Sequence, residues 1–153
     1  MNIELKNIKY AAFASQETNC FSASIYIDGH KCGTVSNNGN GGCHNFYPHQ
    51  LTMNLDEYAK TLPPLDISYL YDDGNVHTMP QSAETLIDGL VEKYLQEQDL
   101  KRLCKKNVIF RDPLRIYAPG EYSKLLGTYS TDAARYLRSK YGPTVEIVNE
   151  RFL

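Results

Sequence analysis

An alternating apolar segment followed by a two-residue turn constrains the fold of this chain most strongly. In the segment Cys20–Ile27, apolar side chains recur at every second position, which is the period of a strand with one buried face. The pair Asp28-Gly29 follows directly, and this pair between two extended segments indicates a two-residue hairpin turn. Residues 31–36 then form the returning strand, and the apolar-rich residues 3–14 form a first strand. The amino-terminal part is therefore predicted to be an antiparallel meander.

Two helices are predicted in the second half of the chain. A long amphipathic helix begins near Ser82, because its apolar residues recur at helical spacing. A shorter helix follows a cap at Ser130 or Thr131, and Gly142 ends it. The apolar stripe of the long helix comprises Leu86, Ile87, Leu90, Val91, Tyr94 and Leu95, and Leu100 and Leu103 extend it after a bend.

The remaining elements are predicted to be short. Asn54 and Glu57 have the spacing of a capping box, which predicts a helix that starts at Asn54 and runs to about residue 62. Residues 66–71 and 76–78 are predicted to be paired strands on either side of a turn. Further strands are predicted at residues 108–110 and 114–117, and residues 145–147 are predicted to form a closing strand or a docked tail. The predicted fold is one α+β domain over residues 1–153, an antiparallel sheet with the long and the shorter helix packed on one face.

Composition excludes several classes of function. The chain has 153 residues, with 16 basic and 18 acidic side chains and a net charge of −2. Such a balance disfavours general nucleic-acid binding, which depends on a basic surface; the basic cluster 101–106 matches the carboxyl end of a helix. Without an apolar run of 18 residues, no membrane partner is expected. The amino terminus lacks a secretion signal, so we expect a cytoplasmic protein whose four cysteines stay reduced.

The segment after the hairpin is the main candidate for a binding site. Residues 37–42 consist of three asparagines and three glycines, types that tolerate a left-handed backbone. The lysine and hydroxyl residue of a phosphate loop are missing. In a meander, the connection at residues 17–19 lies at the same sheet end as this loop, because the Asp28-Gly29 turn occupies the other end. The predicted binding residues are Glu17, Thr18, Asn19, Asn37, Asn38, Gly39, Asn40, Gly41, Gly42, His44 and Tyr47.

No catalytic or metal-binding motif is complete. His30, Cys32, Cys43, His44 and His49 lie close in sequence, but no CxxC pair is present, and structural zinc sites usually contain one. Adjacent residues such as Cys43 and His44 meet only across a sharp turn, and no third group that would orient them is evident. We therefore expect no catalytic residue, no metal and no cofactor, and a protein that is not an enzyme.

The sequences SQETNCFSA (15–23) and DGHKCGTVSNNGNGG (28–42) resemble the amino-terminal part of small uncharacterised proteins encoded by bacteriophages and prophages. The resemblance covers the first third of the chain. It implies a protein made in the bacterial cytoplasm during infection, which binds a protein of the host. Inhibitors of bacterial immunity are one class of such proteins.

These observations predict a non-enzymatic interaction protein that binds a host macromolecule through its loops and its tyrosines. The chain has 12 tyrosines and no tryptophan, and tyrosine is common in interfaces. Two alternatives remain open. One is a small-molecule or nucleotide-binding protein, including an enzyme, that uses the Gly/Asn-rich loop with Cys43 or His44. The other is a self-assembling structural protein.

Overall fold

The computed structural model describes residues 1–153 and is an α+β protein with antiparallel sheets and three α-helices. The chain divides into two compact units, Met1–Val91 (unit 1) and Glu92–Leu153 (unit 2). The prediction of one sheet is wrong, because the strands form three separate sheets of four, two and three strands. That residues 1–153 act as one domain, with two helices on one sheet face, stays a prediction.

Unit 1 begins with the predicted antiparallel meander. Its four strands are neighbours in chain order, which confirms the meander. Asp28 and Gly29 form the hairpin turn with φ values of 49° and 83°, the left-handed pair that a tight two-residue turn requires. The strands are β1 (Ile3–Tyr10), β2 (Cys20–Ile27), β3 (His30–Asn38) and β4 (Asn45–Tyr47).

The first strand is shorter than predicted and irregular. It ends at Tyr10, and the residues Ala12–Ala14 form a 3-10 turn instead of extended chain. The pairing of β1 with β2 shifts register between Lys6 and Lys9, where Asn7 has a φ of 54°. A β-bulge therefore interrupts the outermost strand of the sheet.

One face of this sheet is buried. Phe21, Ala23 and Ile25 of β2 point to that face, together with Val35 of β3 and Phe46 of β4. Cross-strand partners share a face, and Ala23 is paired with Val35, which in turn is paired with Phe46. Burial alternates as predicted at Phe21, Ser22 and Ala23, but Ser24 is buried too, so the alternation stops at the centre of β2.

The first helix begins earlier than the predicted capping box. Helix α1 spans Gln50–Ala59, so Asn54 lies in its interior and is exposed. The helix buries Leu51, Leu55 and Ala59, which are spaced four residues apart and lie on one face. Burial of this stripe sets the position of the helix, and the capping-box prediction is wrong.

The rest of unit 1 contains a small two-stranded sheet and the start of the long helix. Strand β5 (Leu65–Asp66) pairs with β6 (Thr78–Met79). A 3-10 turn at Ser68–Leu70 replaces most of the predicted strand at residues 66–71. Helix α2 spans Ala83–Cys104, and its residues 83–91 belong to unit 1.

None of the helices combines the length and apolar character needed to cross a bilayer.

Unit 2 has a three-stranded sheet and one further helix. Its strands β7 (Asn107–Arg111), β8 (Ser123–Leu126) and β9 (Glu146–Ile147) have the order β8-β7-β9. Helix α3 spans Thr131–Tyr141 with Ser130 as its cap, whose side chain accepts a hydrogen bond from the backbone N–H of Ala133. The cap prediction is confirmed, but the strand predicted at residues 114–117 lies in a loop.

A buried asparagine organises the centre of unit 2. Asn149 accepts a hydrogen bond from the backbone N–H of Ile109 at 2.7 Å, and its amide nitrogen donates to the carbonyls of Cys104 and Asn107 at 3.0 and 2.9 Å. These bonds join the end of α2, strand β7 and the 3-10 turn Val148–Phe152. The apolar core beside it comprises Val108, Phe110, Ala134, Leu137, Val145 and Ile147.

Candidate functional site

The carbonyl oxygen of Gly39 joins the two loops that the sequence places at one end of the sheet. It accepts hydrogen bonds from three successive backbone N–H groups, those of Gln16 at 3.0 Å, Glu17 at 2.9 Å and Thr18 at 3.3 Å. Gly39 also lies against the carbonyl oxygen of Ala14, which would be 2.1 Å from a Cβ at this position. The β1–β2 connection and the loop after β3 therefore form one continuous structure.

Asn37 is the central side chain of this structure and is only 4% exposed. Its Oδ1 accepts hydrogen bonds from the hydroxyl of Thr18 at 2.8 Å and from the backbone N–H of Gly39 at 2.9 Å. Its Nδ2 lies 3.1 Å from the carbonyl of Gly42 and 3.1 Å from Nδ1 of His44. A buried amide with all its polar atoms bonded rigidifies its surroundings, so Asn37 holds the loop in one conformation.

The glycines and asparagines of the loop serve this internal network. Gly39 and Gly41 have φ values of 83° and 79°, which side chains other than glycine rarely adopt. The backbone N–H of Gly41 donates to the hydroxyl of Thr18 at 3.3 Å, and that of Asn40 donates to Oδ1 of Asn38 at 3.2 Å. Three consecutive backbone amides, at residues 39–41, are thus bonded within the protein, and none of the three points freely towards an anion.

His44 connects the loop to the beginning of α2. Its backbone N–H donates to both carboxylate oxygens of Glu84, at 3.0 and 2.9 Å, and its Nε2 lies 3.0 Å from Oδ1 of Asp88. Residues 84 and 88 are one helical turn apart and therefore lie on the same side of α2. The rings of His44 and Phe21 also pack in a T-shaped arrangement, with centroids 5.2 Å apart.

The hydrogen bonds determine the roles of both nitrogens of the His44 ring. Gly39 donates to Oδ1 of Asn37, and a backbone N–H is always a donor, so Nδ2 of Asn37 faces His44 as a donor. Nδ1 of His44 consequently accepts, and Nε2 donates to Asp88. The His44 side chain is 4% exposed. Neither nitrogen is left to activate the neighbouring Cys43 thiol as a general base.

The Cys/His-rich segment is spread over opposite ends of the sheet. Cys32 lies near the start of β3, whereas Cys43 follows the far end of that strand. The six residue steps of β3 from position 32 to position 38 span about 20 Å, so these two thiols lie at opposite ends of the strand. No group of three His, Cys, Asp or Glu side chains is placed to hold a metal ion.

The four cysteines are expected to differ in their rate of alkylation. Cys32 and Cys43 are exposed, whereas Cys20 and Cys104 are partly buried. Burial raises the pKa of the Cys104 thiol, so less of it is thiolate, the reactive form, at a given pH. Treatment with iodoacetamide at mildly alkaline pH, followed by peptide mass spectrometry, should modify Cys32 and Cys43 first. Equal alkylation rates at all four cysteines of the folded protein would contradict these differences in exposure.

The structure brings most of the predicted binding residues together. Thr18, Asn37, Gly39, Gly41, Gly42 and His44 belong to the network described above, but their polar groups bond to one another. Tyr47 is 75% exposed and lies on β4, outside the network. The predicted residues whose side chains or backbone face solvent are Glu17, Asn38, Asn40, Gly42 and Tyr47; Asn19 is partly buried.

Phe13 is the residue at this surface that the sequence did not single out. It lies in the 3-10 turn Ala12–Ala14, directly before the connection bonded to Gly39, and is 92% exposed. Within a predicted strand over residues 3–14, Phe13 would simply contribute to the apolar pattern. The small residues at positions 11, 12 and 14 argue against a strand here, because they do not form the large apolar face of a strand.

Glu84 and Asp88 were also missed as neighbours of the loop. They lie 40 and 44 residues from His44 in the chain, and the sequence contains no signal for that pairing. Glu84 lies in the first turn of α2, where a carboxylate also complements the helix dipole, so its presence there needs no neighbouring loop.

The chain was compared with protein-family models, with curated protein sequences and with solved structures, and none of the three comparisons found a match.

Proposed function

We propose that this protein is a non-enzymatic interaction protein that binds a bacterial host protein through the loop surface at one end of unit 1. The loop surface consists of Phe13, Glu17, Asn38, Asn40 and the exposed backbone of Gly42. The observation that carries the proposal is Phe13, a nearly fully exposed aromatic residue on a rigidly held support.

The exposed side chain of Phe13 contributes no burial free energy to the fold. Burying a phenylalanine side chain stabilises a protein by about 1.5–3 kcal/mol, and this chain forgoes that contribution. The turn carrying Phe13 is nevertheless closely held. The hydroxyl of Ser15 donates to the carbonyl of Ala11 at 2.8 Å and accepts from the backbone N–H of Cys20 at 2.9 Å. An aromatic side chain has only two rotatable bonds, and on a backbone held in this way it loses little conformational entropy on binding.

The surroundings of Phe13 favour a protein as the partner. Interfaces combine a central aromatic anchor with a polar rim, and here the carboxylate of Glu17 and the amides of Asn38 and Asn40 provide polar groups at the exposed surface of the adjoining loops. The resemblance of residues 15–23 and 28–42 to phage and prophage proteins supports a bacterial host as the source of this partner. An inhibitor of a bacterial defence system would fit such a surface, because inhibition requires only binding.

The alternative of a nucleotide or small-molecule site at the loop has no observation in its favour. The backbone amides at residues 39–41 are bonded internally, and the ring of His44 is buried between Asn37 and Asp88. Cys43 is exposed without a base beside it.

We expect Phe13→Ala to weaken binding to the host partner without lowering the melting temperature. The partner can be identified in bacterial cells with a photo-crosslinking amino acid at position 13, and the same amino acid at Tyr69, an exposed aromatic residue on another turn, is the control. With the purified partner, titration calorimetry should give a Kd about 30-fold higher for Phe13→Ala, the effect of losing an aromatic hot spot.

Tyr69→Ala should leave that Kd within about twofold of the original value. The proposal fails if position 13 yields no crosslinked protein beyond those seen with position 69. It also fails if Phe13→Ala binds the captured protein as tightly as the unchanged chain does.

A further inference from the structure

Arg111, the last residue of β7, differs from every other arginine of the chain. All the arginines lie in unit 2. The others are exposed and form ion pairs with carboxylates, in the pairs Arg102–Asp99, Arg115–Glu121, Arg135–Asp132, Arg138–Glu150 and Arg151–Glu146. Arg111 is half-buried and forms no ion pair. A charged group that is partly withdrawn from water is normally paired, so its lack of a partner requires an explanation.

The hydrogen-bonding capacity of Arg111 is also unused. Its Nε is fully buried, and no other side-chain nitrogen or oxygen that is buried to this degree lacks a hydrogen-bond partner. A guanidinium carries five N–H donors and no acceptor. The terminal amino groups of Arg111 make no hydrogen bond within the protein either, but they are not enclosed. The far edge of this guanidinium therefore presents free N–H donors to solvent.

Two tyrosine rings restrict the orientation of the guanidinium. Its central carbon lies 4.4 Å from the centre of the Tyr122 ring and 6.0 Å from the centre of the Tyr117 ring. The Tyr117 ring is itself held, because its hydroxyl accepts from the backbone N–H of Asp112 at 3.0 Å and lies 2.7 Å from the hydroxyl of Ser123. Cation–π contacts stabilise the charge but leave the N–H donors in the guanidinium plane without acceptors. Donors that are already oriented lose little entropy when a ligand binds.

Two carboxylates lie close to Arg111 along the chain and across the sheet, but both bond elsewhere. Glu146 is opposite Arg111 in the pairing of β7 with β9, yet its carboxylate forms an ion pair with Arg151. Asp112 follows Arg111 directly, and its carboxylate accepts a hydrogen bond from the backbone N–H of Leu114 at 2.9 Å. The fold thus uses both neighbouring acids for other contacts and leaves the guanidinium of Arg111 without an anion.

We propose that Arg111 is a binding site for the carboxylate group of a ligand. The two oxygens of a carboxylate match the parallel N–H groups at the end of a guanidinium, and such paired bonds are short and strong. The charge also fits a single negative group, since Arg115 and Arg151 are each balanced by a glutamate. Phosphate carries more than one negative charge near neutral pH and would be repelled more strongly by Asp112 and Glu146. The carboxylate comes from a small molecule or from an acidic side chain of another protein.

An NMR titration of the full chain with benzoate tests the proposal directly. Benzoate is the probe, and benzamide, which has nearly the same shape but no charge, is the matched control. At constant ionic strength, benzoate should shift the Nε–H signal of Arg111 and the ring-proton signals of Tyr122 in a saturable way, with a Kd at or below about 10 mM. Benzamide should bind at least about tenfold more weakly, because it has only one oxygen and no negative charge.

Substitutions of Arg111 separate the paired N–H contact from charge alone. Arg111→Gln should abolish the benzoate-induced shift of the Tyr122 ring protons. Arg111→Lys keeps the positive charge but loses the planar pair of donors, so its Kd should rise at least about fivefold. Arg102→Gln, at an exposed arginine of α2, should bind benzoate like the unchanged chain. The comparison of benzoate with benzamide needs no variant and therefore holds even if a substitution prevents folding.

A second arm of the experiment identifies the source of the carboxylate. It uses two capped tripeptides, Ala-Glu-Ala and Ala-Gln-Ala, which differ only in the charge of the central side chain. A Kd for the glutamate peptide at least about tenfold below that of benzoate assigns the site to an acidic side chain of another protein, and any weaker binding assigns it to a small molecule. The proposal is overturned if benzoate causes no saturable shift, if benzamide causes the same shift, or if Arg111→Gln still responds. Tighter binding of inorganic phosphate than of benzoate would also overturn it.

Discussion

Gly39→Ala is expected to lower the free energy of unfolding of unit 1 by about 2–5 kcal/mol. The new Cβ would lie 2.1 Å from the carbonyl oxygen of Ala14 and 2.9 Å from the Cβ of Cys20, so the backbone of two segments would have to move apart. Overpacking of this kind costs about 1–3 kcal/mol, and the left-handed conformation adds about 1–2 kcal/mol for a residue other than glycine. Hydrogen exchange of the β2–β3 amides measures this loss within unit 1.

Gly42→Ala is the matched control for this substitution. Gly42 has a φ of 104°, compared with 83° for Gly39, but a Cβ there would meet nothing within 4 Å. We expect a loss of about 1–2 kcal/mol, the conformational part alone. Equal losses in the two variants would mean that the contact of Gly39 with Ala14 does not hold the two loops together.

Asn37→Ala is expected to destabilise unit 1 by about 3 kcal/mol. The substitution leaves the buried backbone N–H of Gly39 without its acceptor and removes the partner of Nδ1 of His44. Each unsatisfied buried polar group costs about 1–3 kcal/mol. The variant should also expose His44, because one of the two groups that hold its ring is gone. NMR signals of the His44 ring protons would detect this exposure independently of the loss of stability.

Asn38→Ala provides the comparison at the next position of the chain. Asn38 is exposed. Its side chain makes one hydrogen bond, in which Oδ1 accepts from the backbone N–H of Asn40 at 3.2 Å. Its loss should change stability by no more than about 0.5 kcal/mol, as at other surface positions. If Asn38→Ala were as destabilising as Asn37→Ala, the buried network would not be the source of the rigidity of the loop.

Both pairs of variants bear on the proposed function. The loop whose conformation is set by Asn37 and Gly39 holds the connection that directly follows the turn of Phe13, so both destabilising variants should also weaken partner binding. Phe13→Ala, by contrast, should weaken binding at unchanged stability. Comparing the two kinds of variant distinguishes residues that hold the Phe13 turn in place from the residue that would contact the partner.

The sequence predicts the local features of the fold well. The meander depends on the alternation in β2 and on the Asp28-Gly29 turn, both of which are encoded by residues adjacent in the chain. The cap at Ser130 is local in the same way. The start of α1 differs from the prediction because capping and burial favour different starting points. Asn54 and Glu57 have the spacing of a capping box, whereas Leu51 and Leu55 lie on the buried face of the helix.

The candidate site was predictable only in outline. The order of the strands places residues 17–19 and 37–42 at one end of the sheet, and the contacts of Gly39 agree. The inward direction of the polar groups was not predictable, because it depends on Asn37 being buried and on Glu84 and Asp88, which are distant in sequence. The strand predicted at residues 114–117 failed for a related reason, since Asp112 and Tyr117 close that segment into a loop.

The bulge in β1 has a consequence for the solubility of the protein. An open sheet edge can recruit strands from other molecules and so initiate aggregation. In the four-stranded sheet, one edge is β1, where the register shift between Lys6 and Lys9 breaks the row of backbone groups and places two lysines beside it. The other edge, β4, is only three residues long and is followed by Pro48. Neither edge offers a long regular template, which disfavours edge-to-edge pairing of this sheet with other molecules.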